Sequence, residues 1–193
     1  KSNIFSVFVD KFPVPFIKKN IEKIRKKEME VWQMAVQILE VKKESCPAAR
    51  LIGKKYEGVP NWDEWWDNNW FEKLEVNPCL PFNGDAYIGA VHIVNGMPER
   101  WIGMLFSPDT EAPDGFESID IEPLDYAVCY LSDKENSGEF FSMDTHNMCL
   151  EKLKELHMER KEDDWCFERY NCPRFTTPDE NGHVILDYGI SVM

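Results

Sequence analysis

No run of this sequence reaches the about 18 apolar residues that a membrane-spanning helix requires. Its opening, KSNIFSVFVDKFPVPF, places an Asp and a Lys where a signal peptide keeps an unbroken apolar stretch. A C-x-x-C pair is missing, which removes the commonest zinc signature. So are an HExxH helix, a glycine-rich phosphate loop and a GxSxG elbow. Positive charge is also scarce: 35 acidic against 22 basic residues leave a net charge of −13. Such a field repels nucleic acid and anionic membranes, and suits a neutral or cationic small partner. These absences argue against direct nucleic-acid binding, membrane association, a metal and a bound cofactor.

What is present is globular chemistry: 43% hydrophobic residues, 13% aromatic, and seven tryptophans in 193 residues. A chain of this length buries a sizeable core without covalent staples. Cys46, Cys79, Cys129, Cys149, Cys166 and Cys172 lie mostly within apolar patterns. They read as reduced thiols, which places the protein in the cytoplasm. His92, His146, His157 and His183 are too scattered for a ligand set. Asp144 and His146 flank a threonine in MDTHN, but with no strand–turn context this reads as the start of a helix.

Residues 1–35 form an N-terminal extension or linker helix. Ile17, Ile21 and Ile24 have helical spacing in a basic stretch, as in a tail that follows an upstream domain. From residue 36 the pattern becomes regular. VQILEVKKES and ARLIGKKY read as strands separated at Pro47. Asn61 caps a helix on which Trp62, Trp66 and Trp70 recur at i+4, the spacing of a packed face. AYIGAVHI and RWIGMLF read as a hairpin about Asn95-Gly96. The order then repeats: FESIDIEP and DYAVCYL as strands, a helix capped by Ser142 or Asp144, then WCFERYN and HVILDYGISV as strands. WIGMLFSP at 101–108 matches WCFERYNC at 165–172, each leading to a Pro-Asp pair. The expected fold is α+β: duplicated βαββ modules, about 36–115 and 116–193, with pseudo-twofold symmetry. An antiparallel sheet would carry both main helices on one face. A ligand cleft would lie between the modules, around the axis on the other face.

Alternation in WCFERY puts Cys166, Glu168 and Tyr170 on one side of a strand. A carboxylate among apolar and aromatic neighbours is costly to bury without a partner. It therefore marks either an ion pair or a ligand site for a cationic or hydrogen-bonding aromatic molecule. The internal match sets Met104 and Phe106 opposite Glu168 and Tyr170. Trp66, Tyr56 and Tyr126 complete the candidate ligand contacts, and Tyr188 reads as a core or rim position.

The pieces VQILEVKKESCPAARLIGKKYEG, FESIDIEPLDYAVCYL, CFERY and ILDYGISV, in this order over about residues 36–193, resemble the gyrase-inhibitory-protein-like (GyrI-like) small-molecule-binding domains. These are the effector-binding domains of AraC-type and MerR-type transcription regulators. The resemblance implies a duplicated module of the SOUL/heme-binding-like kind, a central aromatic cleft, and an acidic residue on a sheet strand at the position of Glu168, accompanied by Tyr170. It implies no cofactor. In regulators of this kind a DNA-binding domain lies upstream. This chain departs from the pattern in its tryptophan-rich first helix, in a closing DYGISV, and in lacking a helix-turn-helix.

The leading expectation is a small-molecule (effector) binding domain of a transcription regulator or a stand-alone relative. A second is a hydrolase of reactive cyclopropanoid compounds, a reaction some stand-alone members perform, with Glu168 as its acid in an aromatic pocket. A third is a protein-binding module, which a cleft filled by the protein's own side chains would favour.

Overall fold

Strand boundaries fall where the backbone chemistry changes. In the computed structural model, which describes residues 36–162 and 164–193, β1 (Gln37–Cys46) stops at Pro47 and β2 (Ala49–Tyr56) starts two residues later. The predicted extension over residues 1–35 lies outside the described residues. Strands β3 (Tyr87–Val94) and β4 (Met97–Phe106) form the expected hairpin. Asn95 (φ 53°) and Gly96 (φ 75°) both take the positive φ that a two-residue turn of this kind demands. β5 (Glu117–Ile121), β6 (Leu124–Lys134), β7 (Trp165–Tyr170) and β8 (His183–Val192) complete the strands.

The eight strands of the described residues lie in one sheet, in the order β1-β6-β8-β7-β3-β4-β2-β5, with antiparallel pairing throughout. The protein is thus α+β, with an open sheet and few helices. The edge strands cross over: β1 pairs with β6, and β5 pairs with β2. At the centre β3 meets β7, with Gly89 opposite Glu168 and Val91 opposite Cys166.

Helices α1 (Trp62–Asp67), α2 (Trp70–Leu74) and α3 (Met143–Glu155) cover one sheet face. Asn61 and Ser142 cap α1 and α3 by accepting the backbone N–H of Asp63 and Thr145. Two helical cores result. Trp65, Phe71 and Leu74 pack on Ile52, Ile102, Met104 and Phe106. Cys149 and Leu153 pack on Ala127, Cys129, Leu131, Leu186 and Ile190. The other face buries Leu51, Ile88, Trp101, Tyr126, Val128 and Phe167, covered in part by Leu80 and Phe82.

The expected packed face of Trp62, Trp66 and Trp70 is corrected at Trp66, while Trp62 and Trp70 are half-buried against the core. Asn69 enters the left-handed region (φ 51°) and breaks the helix between α1 and α2, which resets the helical phase. Trp65 becomes the core anchor. It is fully buried, and its indole N–H donates to the Tyr56 hydroxyl at 3.0 Å. Trp66 is 55% exposed, with its ring 5.0 Å from Phe71 and 5.4 Å from Tyr87. Trp65→Ala should therefore cost about 3–5 kcal/mol, the range for a buried aromatic, and Trp66→Ala under about 1 kcal/mol, both read from urea denaturation.

Candidate functional site

The helices stand over the outer strands, on either flank of the β3–β7 seam. The seam itself is left uncovered on the helical face. The space between is a cleft of about 590 Å³, within the range of small-molecule sites. This corrects the expectation that the cleft opens on the face opposite the helices. The opposite face is filled by Tyr126, Phe167 and the covering Phe82, whose rings pack edge-on. Gly89, Val91, Ile102, Cys166, Glu168 and Tyr188 form the floor. Val59, Pro60 and Trp62 make one wall, and Phe140, Phe141, Met143 and His146 the other.

Glu168 sits at the centre of the floor because alternation along β7 turns it to this face, and because Gly89 leaves it room. A Cβ at Gly89 would meet Glu168 Oε2 at 3.0 Å and Trp62 Cζ2 at 3.2 Å. The Tyr170 hydroxyl donates to Glu168 Oε2 at 2.6 Å. Tyr170 is in turn held edge-on by Trp62, at 4.7 Å between ring centroids, and by Phe175, at 4.8 Å. Burial pushes the Glu168 carboxyl up from its ordinary 4.5 to about 7, and the Tyr170 hydrogen bond opposes this only in part. On the neighbouring strand β8 Tyr188 pairs with Glu168 in register, and its hydroxyl is 2.8 Å from His146 Nδ1. Burial, and then the nearby Arg160 guanidinium, hold His146 below the usual imidazole range. At neutral pH the wall thus offers a neutral Tyr–His pair beside one titrating acid.

Of the candidate ligand contacts, Glu168 lines the cleft, and Tyr170 is hydrogen-bonded to it without lining the cleft itself. Met104 and Phe106 lie under α1 and α2 as core, because β7 pairs with β3 and not with β4. The sequence match of β4 with β7 therefore does not describe their placement. Tyr56 serves as acceptor for Trp65, and Trp66 is exposed outside the cleft. Tyr126 is buried on the opposite face, since it is in register with Glu44 and Ser191, which point that way. Trp62, Gly89, His146 and Tyr188 were not singled out as contacts. A mid-strand glycine in AYIGAVHI, marking a close approach, was the available signal for the seam.

The charge next to Glu168 in sequence points to the other face. Arg169 is 4% exposed there. Its Nε donates to Asp187 at 2.8 Å, Nη1 and Nη2 donate to Glu44 at 3.0 Å, and Nη1 also donates to the Phe82 carbonyl at 2.8 Å. Among the described residues no group of three or more His, Cys, Asp or Glu could hold a metal ion, and no helix is long and apolar enough to cross a membrane.

No family model and no curated protein matches the chain. Solved structures do. SAV2435, in a structure bound to tetraphenylphosphonium, aligns with a TM-score of 0.57 and 13% identity over 80% of this chain and 94% of its own. The C-terminal domain of EcmrR aligns with a TM-score of 0.52 and 10% identity, over 80% and 97%. EcmrR in a complex with DNA aligns with a TM-score of 0.52 and 11% identity, over 91% of this chain but 64% of that one, so the chain spans less than two thirds of that relative. The likeness is one of fold. This likeness of fold is consistent with the resemblance to GyrI-like effector-binding domains drawn from the sequence motifs.

Because Glu168 binds its proton more tightly when folded, the native state holds more protons than the unfolded one between pH 4.5 and about 7. Stability then falls as pH rises through that window, and the full cost remains above it. Glu168→Gln should stabilise the protein at pH 8 by on the order of 1–3 kcal/mol and leave it unchanged near pH 4, as read from denaturation midpoints at the two pH values.

Proposed function

We propose that this domain is a small-molecule sensor whose cleft selects a hydrophobic, aromatic cation, with Glu168 as the counter-charge. The observation that carries this reading is a half-buried carboxylate on the floor of an open, aromatic-walled cleft, with a single hydroxyl as its described partner. A carboxylate so placed has lost much of its hydration, and a bound cation restores the lost electrostatic stabilisation. Trp62, Phe141 and Tyr188 supply faces and edges suited to an aromatic body. A structural neighbour holds tetraphenylphosphonium, which supports a ligand of this class here. The EcmrR likeness supports an origin in a transcription regulator with a DNA-binding segment elsewhere in the full protein. Duplication is supported by the strand order, which reads the same from either edge when β1–β4 are exchanged with β5–β8. On that exchange β3 corresponds to β7, and the seam lies on the pseudo-twofold axis.

The hydrolase reading has one observation in its favour. An acid titrating near 7 keeps a usable proton at neutral pH, and Tyr170 is hydrogen-bonded to it. Turnover of an electrophilic cyclopropanoid by wild type, abolished in Glu168→Gln, would favour it over simple binding. The protein-binding alternative has less support, since the cleft is open rather than filled by the protein's own side chains.

Calorimetry with tetraphenylphosphonium tests the sensor reading. At pH 8, Glu168→Gln should weaken binding by about 2–3 kcal/mol, the low end for losing one partner of a buried charge pair. Wild-type affinity should drop as pH falls from 8 to 6, because the cation competes with a proton for the carboxylate. Equal affinity of wild type and variant at both pH values would overturn the reading.

A further inference from the structure

Glu168 accounts for one end of the cleft only. Arg100 on β4 and Arg160, between α3 and β7, line the same space. Arg160 is anchored by a backbone bridge to Val192 on β8. Its guanidinium lies near enough to His146, Cys166 and Tyr188 to bear on their ionisation. Arg100 comes from the other flank, since β4 lies beyond β3 and β8 lies beyond β7.

Arg50, Arg169 and Arg174 each form an ion pair. Among the described residues Arg100 and Arg160 form none, although the chain carries 35 acidic residues. The buried Nε of Arg160 has no hydrogen-bond partner there either. Asp164, the other acid in the cleft lining besides Glu168, is already engaged: Lys161 Nζ lies 2.6 Å from its Oδ2, and its Oδ1 accepts the Trp165 backbone N–H. In so acidic a protein, two arginines without acid partners in one cleft are placed for an anionic group from outside.

We propose that the cleft takes a bipolar ligand, with its cationic group at Glu168 and a carboxylate, sulfonate or phosphate held by Arg160 with Arg100 facing it. This rests on the cation-binding reading of Glu168 and narrows it. The backbone of Arg160 is held at Val192, four residues along β8 from Tyr188, the register partner of Glu168, roughly 13 Å at the strand rise, so the two poles are set well apart along the floor. That spacing excludes α-amino acids, whose charges are adjacent, and fits an aromatic scaffold that carries its charges on different rings.

Rhodamine 110, a zwitterion with a free carboxylate, and its methyl ester, a cation of nearly the same shape, form a matched pair of probes. Fluorescence anisotropy at pH 8 should show wild type binding the free acid about tenfold more tightly than the ester. Arg160→Gln should remove that preference while the cationic ester binds at least as tightly as to wild type, since a like charge has gone, and the retained ester binding shows that the variant is folded. Equal binding of the two dyes by wild type, or an equal loss of both in Arg160→Gln, would overturn the bipolar ligand. If the ester binds in a Glu168-dependent way while the free acid gains nothing, the bipolar ligand fails and the cation reading stands. If neither dye binds, both fail.

Discussion

The arrangement depends on one buried ionic cluster on the face away from the cleft. Asp187, with no exposed surface, accepts hydrogen bonds from Arg169, Asn171 and Arg174. Arg169 also grips Glu44, and the Tyr130 hydroxyl donates to the same carboxylate. Two arginines face two carboxylates, so the cluster is neutral as well as saturated with hydrogen bonds. That is the condition under which buried charge is tolerated. It ties β1, β6, β7 and β8 together and reaches the Phe82 carbonyl in the loop that covers this face. Its larger effect is on register. A one-residue slip of β7 would turn every side chain over, carrying Arg169 into the cleft and Glu168 into the core. Fixing Arg169 on one face thus fixes Glu168 on the other.

Much of this was legible in the sequence because it rests on local chemistry. Strand limits followed β-branched and aromatic runs and Pro47, the β3–β4 turn followed Asn95-Gly96, and two helix starts followed Asn61 and Ser142. Alternation alone paired Glu168 with Tyr170. What stayed hidden depends on contacts distant in sequence. Glu44 and Arg169 are 125 positions apart, so nothing local announced the cluster. The break at Asn69 turned an apparent tryptophan stripe into a core anchor at Trp65 and an exposed Trp66. Sequence likeness matched β4 to β7, whereas pairing sets β3 beside β7, and this moved Met104 and Phe106 from cleft to core.

The cleft combines features that a rigid sheet can hold apart. Glu168 and Tyr188 sit side by side on neighbouring strands, His146 reaches Tyr188 from α3, and Trp62 and Phe141 come from separate helical segments. The floor is set by strand pairing, whereas each wall is set by how its helix packs on the outer strands. The walls also brace the floor, since Trp62 packs on the Tyr170 that donates to Glu168 and His146 meets the Tyr188 hydroxyl.

The crossed edge strands bear on how the domain folds. β1 finds its partner β6 some 85 residues along the chain, and the β3–β7 seam joins segments separated by a similar span. Such pairings close large loops before any contact rewards them, and proteins built from them fold slowly. Neither half of the chain contains a complete cleft, because floor residues 89 and 168 belong to different halves and each half's edge strand completes the other's sheet. The site comes into being only with the whole domain. Ligand occupancy therefore acts on the global unfolding equilibrium rather than on a local one, and a cell in which the ligand accumulates would hold more of this protein in its folded, protease-resistant form.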